Sequence, residues 1–442
     1  MKVLVIDVYG TGVDFCVRTG WEGHDVKHYL SPGKRPDIGK GLTHRVADWR
    51  SHMRWADLIV CTASARYGWE MEDYYEKGFP IFGANEDCAK WELDRCVGQS
   101  ILEQHGITCL PYRRFDTYHE AIAHVRSTGG SYACKPIGDA DRALSYVGKG
   151  PADMVSQLER AARQGAAKQP FILQKKAEGV EFAVGGWFGP HGFNGVWEEN
   201  FEHKKFHAHD IGMNTGEMGT AMKYCRPEQS KLGEMMLRPL ERTLKAMKFC
   251  GNIDVSVMID EKGKPWPLEF TMRMGWPAFY LNQHLHLGSC VQWMYDLVHG
   301  EDSLKVSYDH CIGVCIVGPT FPHNHLTHEH TDDIPIYGIN PGNIDNIHLV
   351  EVQAGKADVF EGGKWESREL FCTAGDWLLT ITGTGPTVCT AKEDAYSHVS
   401  SLIIPNSPTY RHDIGDRCKG DIAILKSHGF AKSWEYGHGT NT

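Results

Sequence analysis

Two short alternating segments joined by a tight turn constrain this chain more than any other feature. Residues 252–260 read Asn-Ile-Asp-Val-Ser-Val-Met-Ile-Asp, and residues 267–273 read Pro-Leu-Glu-Phe-Thr-Met-Arg. Period-two alternation flanking the polar turn from Asp260 to Lys264 predicts a β-hairpin, with Asp254 and Glu269 on neighbouring strands. Two such carboxylates can share a hard divalent ion, and Mg²⁺ favours a few carboxylates plus phosphate oxygens over a closed protein cage. Solvated acids at strand ends are the plainer reading of the same pair.

Upstream, Lys135 ends an otherwise apolar strand, where a cation has few reasons to sit unless it meets an anion, and Gly138 follows three residues later. A lysine head is a compact point charge suited to phosphate oxygens, although a strand-end lysine can also snorkel to the surface. Residues 200–219 place His203, Lys204 and Lys205 ahead of a glycine-rich run from Gly212 to Gly219. Cations followed by a run able to turn backbone N–H groups inward suit a phosphate or carboxylate; a polar surface loop has the same composition.

These segments sit in a chain of alternating strand and helix signals. Residues 2–7 and 57–61 read as buried strands, the first leading into the turn Tyr9-Gly10-Thr11-Gly12, which is a Rossmann-like opening. Residues 79–84 predict a short strand and residues 88–105 one long helix stopped by Gly106. Strands are expected at 131–135, 171–174, 181–188, 253–259 and 266–270, with a helix over 151–167, which makes an α+β middle domain. Beyond residue 305, strands at 310–317 and 376–381 and a helix at 391–402 suggest a small C-terminal domain.

With 442 residues the chain has room for two to four domains. A net charge of -10 argues against bulk attraction to nucleic acid or an anionic membrane. No run approaches the ~18 apolar residues of a membrane-spanning helix, and the N-terminus does not read as a signal peptide. The 14 cysteines are scattered without disulfide or zinc-knuckle spacing, so a reducing cytoplasm is the expected location.

In order and near-spacing, these segments resemble the ATP-grasp superfamily and, within it, the glycinamide ribonucleotide synthetases. The resemblance runs end to end through the opening MKVLVI, the Lys135 strand, His203-Lys204 followed by Asn214-Thr215-Gly216-Glu217-Met218-Gly219, the block from Leu268 to Arg273, and the closing His412-Asp413-Ile414-Gly415. It implies a Rossmann-like N-terminal domain (1–88), a two-lobed ATP-grasp domain (89–305, flexible lobe about 108–176) and a small C-terminal domain (306–442). It further implies ATP with Mg²⁺ or Mn²⁺, small-molecule carboxylate and amine substrates, and a monomer or homodimer.

By position, Lys135 and Arg95 resemble the phosphate-contacting cations. The segment Gln174-Lys175-Lys176-Ala177 resembles the adenine hinge, Glu181 the ribose-binding carboxylate, and Glu269 a metal ligand. Lys204 and Asn214 lie in the anion-binding segment. Thr271 stands where an asparagine metal ligand is usual, and Asp254 resembles the metal-binding aspartate of other ATP-grasp ligases. Arg273 is expected to act on the transferring phosphoryl group, and Arg142 to replace a missing loop cation.

Departures fall on the substrate side. The Gly-Gly-Arg-Glu-His signature of the first turn is replaced by residues 8–14, the Gly-Asp-Pro-Glu after the arginine by Gly275-Trp276-Pro277-Ala278, and a glycine by Glu217. The expectation is a ligase with altered substrates, serving nucleotide or nucleobase modification or specialised amide synthesis. Its alternatives are an authentic phosphoribosylamine–glycine ligase of purine biosynthesis and a non-catalytic ATP-binding protein. The histidine-rich residues 323–330 also hold enough donors for Zn²⁺, which leaves a metal hydrolase as a further reading. A dinucleotide-binding dehydrogenase is disfavoured by the absence of a third turn glycine.

Overall fold

In the computed structural model, residues 1–63, 67–137, 145–164, 170–322, 331–406 and 408–437 are described. The chain opens with a parallel sheet of β1 (Lys2–Asp7), β2 (Asp25–Leu30), β3 (Leu58–Cys61) and β4 (Ile81–Phe82), in the order β2-β1-β3-β4. Val3 to Ile6 and Leu58 to Cys61 are all buried, as a parallel strand covered on both faces requires. Helix α1 (Val13–Trp21) follows β1, and α2 (Gly68–Glu76) follows β3.

The helix expected over 88–105 is instead two, α3 (Glu86–Leu93) and α4 (Arg95–Gln104). Asp94 takes extended backbone angles between them, and its carboxylate accepts from the N–H groups of Cys96 and Val97. Capping by aspartate satisfies otherwise orphaned donors at a helix start, so the apolar periodicity continues while the helix does not.

A second sheet, β5-β8-β6-β7, forms the first lobe of the middle region from β5 (Tyr112–Phe115), β6 (Tyr132–Pro136), β7 (Tyr146–Val147) and β8 (Phe171–Lys175). Helices α5 (Tyr118–Thr128) and α6 (Pro151–Arg163) pack beside it around Phe115, Val125, Met154 and Phe171.

The third sheet is antiparallel and has nine strands. Its members are β9 (Val180–Gly189), β10 (Gly192–Phe193), β11 (Trp197–Glu202), β14 (Gly219–Cys225), β15 (Gly251–Ile259), β16 (Pro265–Thr271), β17 (His310–Val317), β19 (Ile347–Leu349) and β22 (Trp377–Gly385). Their order is β16-β15-β9-β11-β14-β17-β22-β19, with β10 on β9. Residue 305 is therefore no break in this sheet, because β17 bonds β14 on one side and β22 on the other. Between these strands the chain makes small sheets from β12 (Lys205–His207) with β13 (Ile211–Asn214), and from β18 (Pro335–Ile336), β20 (Val352–Glu361) and β21 (Lys364–Thr373).

One face of the nine-stranded sheet holds Phe182, Val184, Ile253, Val255 and Val257, all in a single apolar core. No helix among the described residues is long and apolar enough to cross a membrane.

Candidate active site

Period-two alternation puts the polar residues of four adjacent strands on the opposite face of the sheet, Glu199 excepted, which pairs with Val184 and faces the core. The register sets Asp254 against Thr271 and Ser256 against Glu269 in the β15–β16 hairpin. Across β9, Gly185 separates Asp254 from Glu198, and Ala183 separates Ser256 from Asn200. Glu269, Thr271, Asp254, Ser256, Glu181, Glu198, Asn200 and Glu202 thus share one face.

Gly185 makes room for this crowding, since a Cβ there would lie 2.0 Å from a carboxylate oxygen of Glu198. Through that gap Asn200 donates to Asp254 at 3.1 Å, and Asn252 donates to Glu198 at 3.0 Å.

Cations converge on the open end of this face. The Arg95 guanidinium lies 2.6 Å from Glu269. Lys204 lies 2.6 Å from Glu181, 2.7 Å from Glu202 and 3.6 Å from Glu269. Lys135 arrives from the other lobe, its Nζ donating to the Leu268 carbonyl at 3.0 Å. That carbonyl is open because Ser256 faces Glu269 while Val257 faces Pro267, so Leu268 is the extra residue of a β-bulge. Bulges leave one residue outside the ladder and re-aim the backbone beside functional sites.

Burial and charge sort these groups. Burial pushes the Lys135 ammonium down to about 8, with Glu269 opposing and Arg95 and Lys204 reinforcing the shift. Burial also disfavours charge on Lys204, but Glu181, Glu202 and Glu269 together hold it ionised well above its usual range. The Glu181 carboxyl is raised by burial, yet Lys204 overcomes this and leaves it low. Deeper in the sheet, burial and then Glu202 raise Asp254 well above an ordinary carboxylate, and burial lifts Glu198 to about 7. Glu217, hydrogen-bonded by Thr220, is raised well above its range by burial and Glu202.

Other expected site residues take supporting positions. Arg273 donates to Glu92 at 2.9 Å, and Glu92 also accepts the Met272 N–H. The Gln174 side chain is buried and donates to Gln99, while the Lys175 and Lys176 N–H groups donate to Pro111 and Ser131 carbonyls. Ala177 lies two residues past the end of β8. Asn214 pairs with Lys205 in the β12–β13 ribbon, next to Thr215, which donates to the Lys204 carbonyl through both its N–H and its hydroxyl. Arg142, Gly138 and residues 323–330 lie outside the described residues. Among the described residues, no three Asp, Glu, His or Cys side chains are gathered as a metal cage.

Besides Ser256, three groups of this face on β11 escaped the sequence reading: Glu202, Glu198 and Asn200. Their signal was present in Trp197-Glu198-Glu199-Asn200-Phe201-Glu202, where every second residue is polar and one step further lies Lys204. Glu92, which holds Arg273, carried no signal beyond being an acid in a helix.

The family description "Phosphoribosylglycinamide synthetase, ATP-grasp (A) domain" matches residues 94–278, the span that carries this face. A phosphoribosylamine–glycine ligase from Escherichia coli is 25% identical over 355 residues, covering 75% of this chain and 76% of that protein. One from Xylella fastidiosa is 26% identical over 369 residues, covering 79% and 78%. The crystal structure of the Thermotoga maritima phosphoribosylamine–glycine ligase superposes with a TM-score of 0.72 at 18% identity, over 94% of this chain and all of that one. The fold is the ATP-grasp fold, with the Rossmann-like opening and two-lobed middle that the sequence implied.

Proposed function

We propose that this ATP-grasp ligase, similar in sequence to phosphoribosylamine–glycine ligases, couples a carboxylate to an amine through an acyl phosphate but takes substrates other than theirs. One observation carries the ligase reading: Lys135, Arg95 and Lys204, from three separate segments, meet Glu269 and Glu181 at the end of one sheet face. That is a cation cluster with a carboxylate counter-set, the arrangement that a polyphosphate and its accompanying ion would exchange into.

In the mechanism, Lys135 and Arg95 bind the phosphate oxygens and neutralise charge that builds up on the transferring γ-phosphoryl group. The substrate carboxylate attacks γ-phosphorus, the bond to the bridging oxygen breaks, and ADP leaves. The amine nitrogen then attacks the acyl carbon, the C–O bond to phosphate breaks, and the ammonium proton passes to solvent. Glu181 and the strand end 174–177 would border the nucleotide, and Arg273, whose Nε donates to Glu92, would act on the acyl phosphate.

Glu269 and Asp254 would supply the hard oxygen donors for Mg²⁺ or Mn²⁺, and Thr271 stands opposite Asp254 in the hairpin. The fit is supported by Asn200 Oδ1, which is buried with no partner among the described residues beside Asp254. When bound, the ion supplies charge neutralisation on the phosphates.

Altered substrates are supported by the three departures at residues 8–14, 276–278 and 217. ADP release across a panel of carboxylates and amines tests both parts. Lys135→Ala and Glu269→Ala are each expected to reduce ADP formation at least 10³-fold, as order of magnitude for lost phosphoryl stabilisation, with unchanged circular dichroism. Wild-type turnover in either variant refutes the site. Robust ADP release with glycine and phosphoribosylamine refutes the change of substrate.

A further inference from the structure

In an open sheet ordered β2-β1-β3-β4, ligands bind outside the carboxyl ends of β1 and β3, where successive connections leave in opposite directions. The turn after β1 is ordinarily an anion cradle there, because its N–H groups and the start of α1 point at the crevice. In this chain the cradle is filled from within. The Asp7 carboxylate, fully buried, accepts from Tyr9 N–H at 3.1 Å, Gly10 N–H at 2.9 Å, Thr11 N–H at 3.2 Å and Gly12 N–H at 2.7 Å. Thr62, just past β3, donates its hydroxyl to the same carboxylate at 3.1 Å, and His28 lies 3.3 Å away. A phosphate would need donors that Asp7 already holds.

Nearby cations are also engaged. Arg35 spans Asp332 and Asp376 at 2.6 and 2.7 Å, and Lys34 lies over the Tyr9 ring.

Aromatic rings line the crevice instead. Tyr280 donates its hydroxyl to the Thr11 carbonyl at 2.9 Å, which fixes its ring beside the turn. Trp276 packs edge-on against Tyr280 and against Trp377, with centroids 5.7 and 5.0 Å apart, and Trp377 meets Phe321 at 4.5 Å. Trp276, Trp377, Phe321 and Tyr9 are only half-buried. The Trp276 indole N–H donates to the Glu217 carbonyl, and Trp276 stands three residues after Arg273. The ring wall therefore runs from the β1 turn to the phosphoryl-transfer face.

We propose that the amine acceptor is a ring-bearing amine without a phosphate, its ring held between the Tyr9 turn and the Trp276–Trp377 wall. This rests on the ligase reading above for the word acceptor, but the binding claim stands apart from turnover. Each aromatic pair contributes beyond simple burial, so several rings together can replace a phosphate anchor.

Calorimetry on the full chain, with tryptamine and ribose 5-phosphate as probes and without nucleotide, separates the possibilities. Tryptamine is expected to bind saturably, ribose 5-phosphate neither to bind nor to displace it, and Trp276→Leu or Tyr9→Leu to weaken tryptamine at least tenfold with ATP binding retained. Displacement of tryptamine by ribose 5-phosphate, or no saturable tryptamine binding, overturns the proposal. Saturable binding without ADP release in any acceptor panel leaves the inference standing and removes the ligase reading. ADP release supported only by phosphorylated, ring-free amines does the reverse.

Discussion

Lys135 holds its proton more loosely than a lysine in water, because burial outweighs the attraction of Glu269 and because Arg95 and Lys204 repel it further, bringing it to about 8. A bound triphosphate favours the ammonium form and raises this value, so ATP binding takes up a proton above pH 8. Metal-free ATP affinity is therefore expected to weaken as pH rises from 7 to 9.5, by up to about tenfold per unit above 8. Lys135→Arg, permanently charged, is expected to flatten the profile; titration calorimetry across that range checks both. For stability the sign is opposite. The unfolded lysine titrates near 10.5, so this group opposes folding in full below about 8, and the cost fades as pH rises from about 8 to 10.5. The residues of the proposed site were legible one at a time: a lysine at the end of an apolar strand and two acids on a hairpin each stood out. What placed Glu202 and Glu198 beside them was the alternation of β11 and the missing side chain at Gly185, which only strand order makes visible.

At the scale of elements, the corner between α3 and α4 decides where Arg95 points. Asp94 starts α4 with two hydrogen bonds, so Arg95 opens a new helix and reaches Glu269. Gly98 allows the corner to close, since a Cβ there would lie 2.4 Å from the Trp91 carbonyl oxygen. Asp94→Ala is expected to cost about 1 kcal/mol of stability, to lower ADP formation several-fold by loosening Arg95, and to be rescued by Asp94→Asn, which can still cap. Thermal melts and ADP release measure the two effects separately, and a variant that loses stability alone would detach the cap from the site. Hydrophobic period gave no warning of this corner, because two consecutive helices lying on the same core repeat the pattern of one long helix. The hairpin of β15 and β16, by contrast, was readable because its turn and alternation are local. The bulge at Leu268 was not, since a one-residue shift in pairing leaves composition untouched.

Over the whole molecule, the site-bearing sheet is completed by strands from the far end of the chain. β17 covers the edge of β14, β22 covers β17, and Trp434 lies fully buried 4.8 Å from the Phe201 ring while donating to Glu199 at 3.0 Å. An apolar strand announces that it is buried but not which strand it will pair with, so a boundary near 305 was a natural reading of turn-rich sequence. Its physical consequence can be measured. A chain ending at residue 305 would leave the backbone donors and acceptors of β14 without partners on one side, and would expose the apolar surface around Phe182 and Phe201 that Trp434 covers. Open apolar edges favour pairing between chains. Such a chain is expected to aggregate and to lack a cooperative melt, whereas Trp434→Ala in the full chain should fold with a loss of about 3–5 kcal/mol. Were the shortened chain instead to melt cooperatively and bind ATP, the site face would have to be stable without β17 and β22, and the last third of the chain would act on substrate access alone.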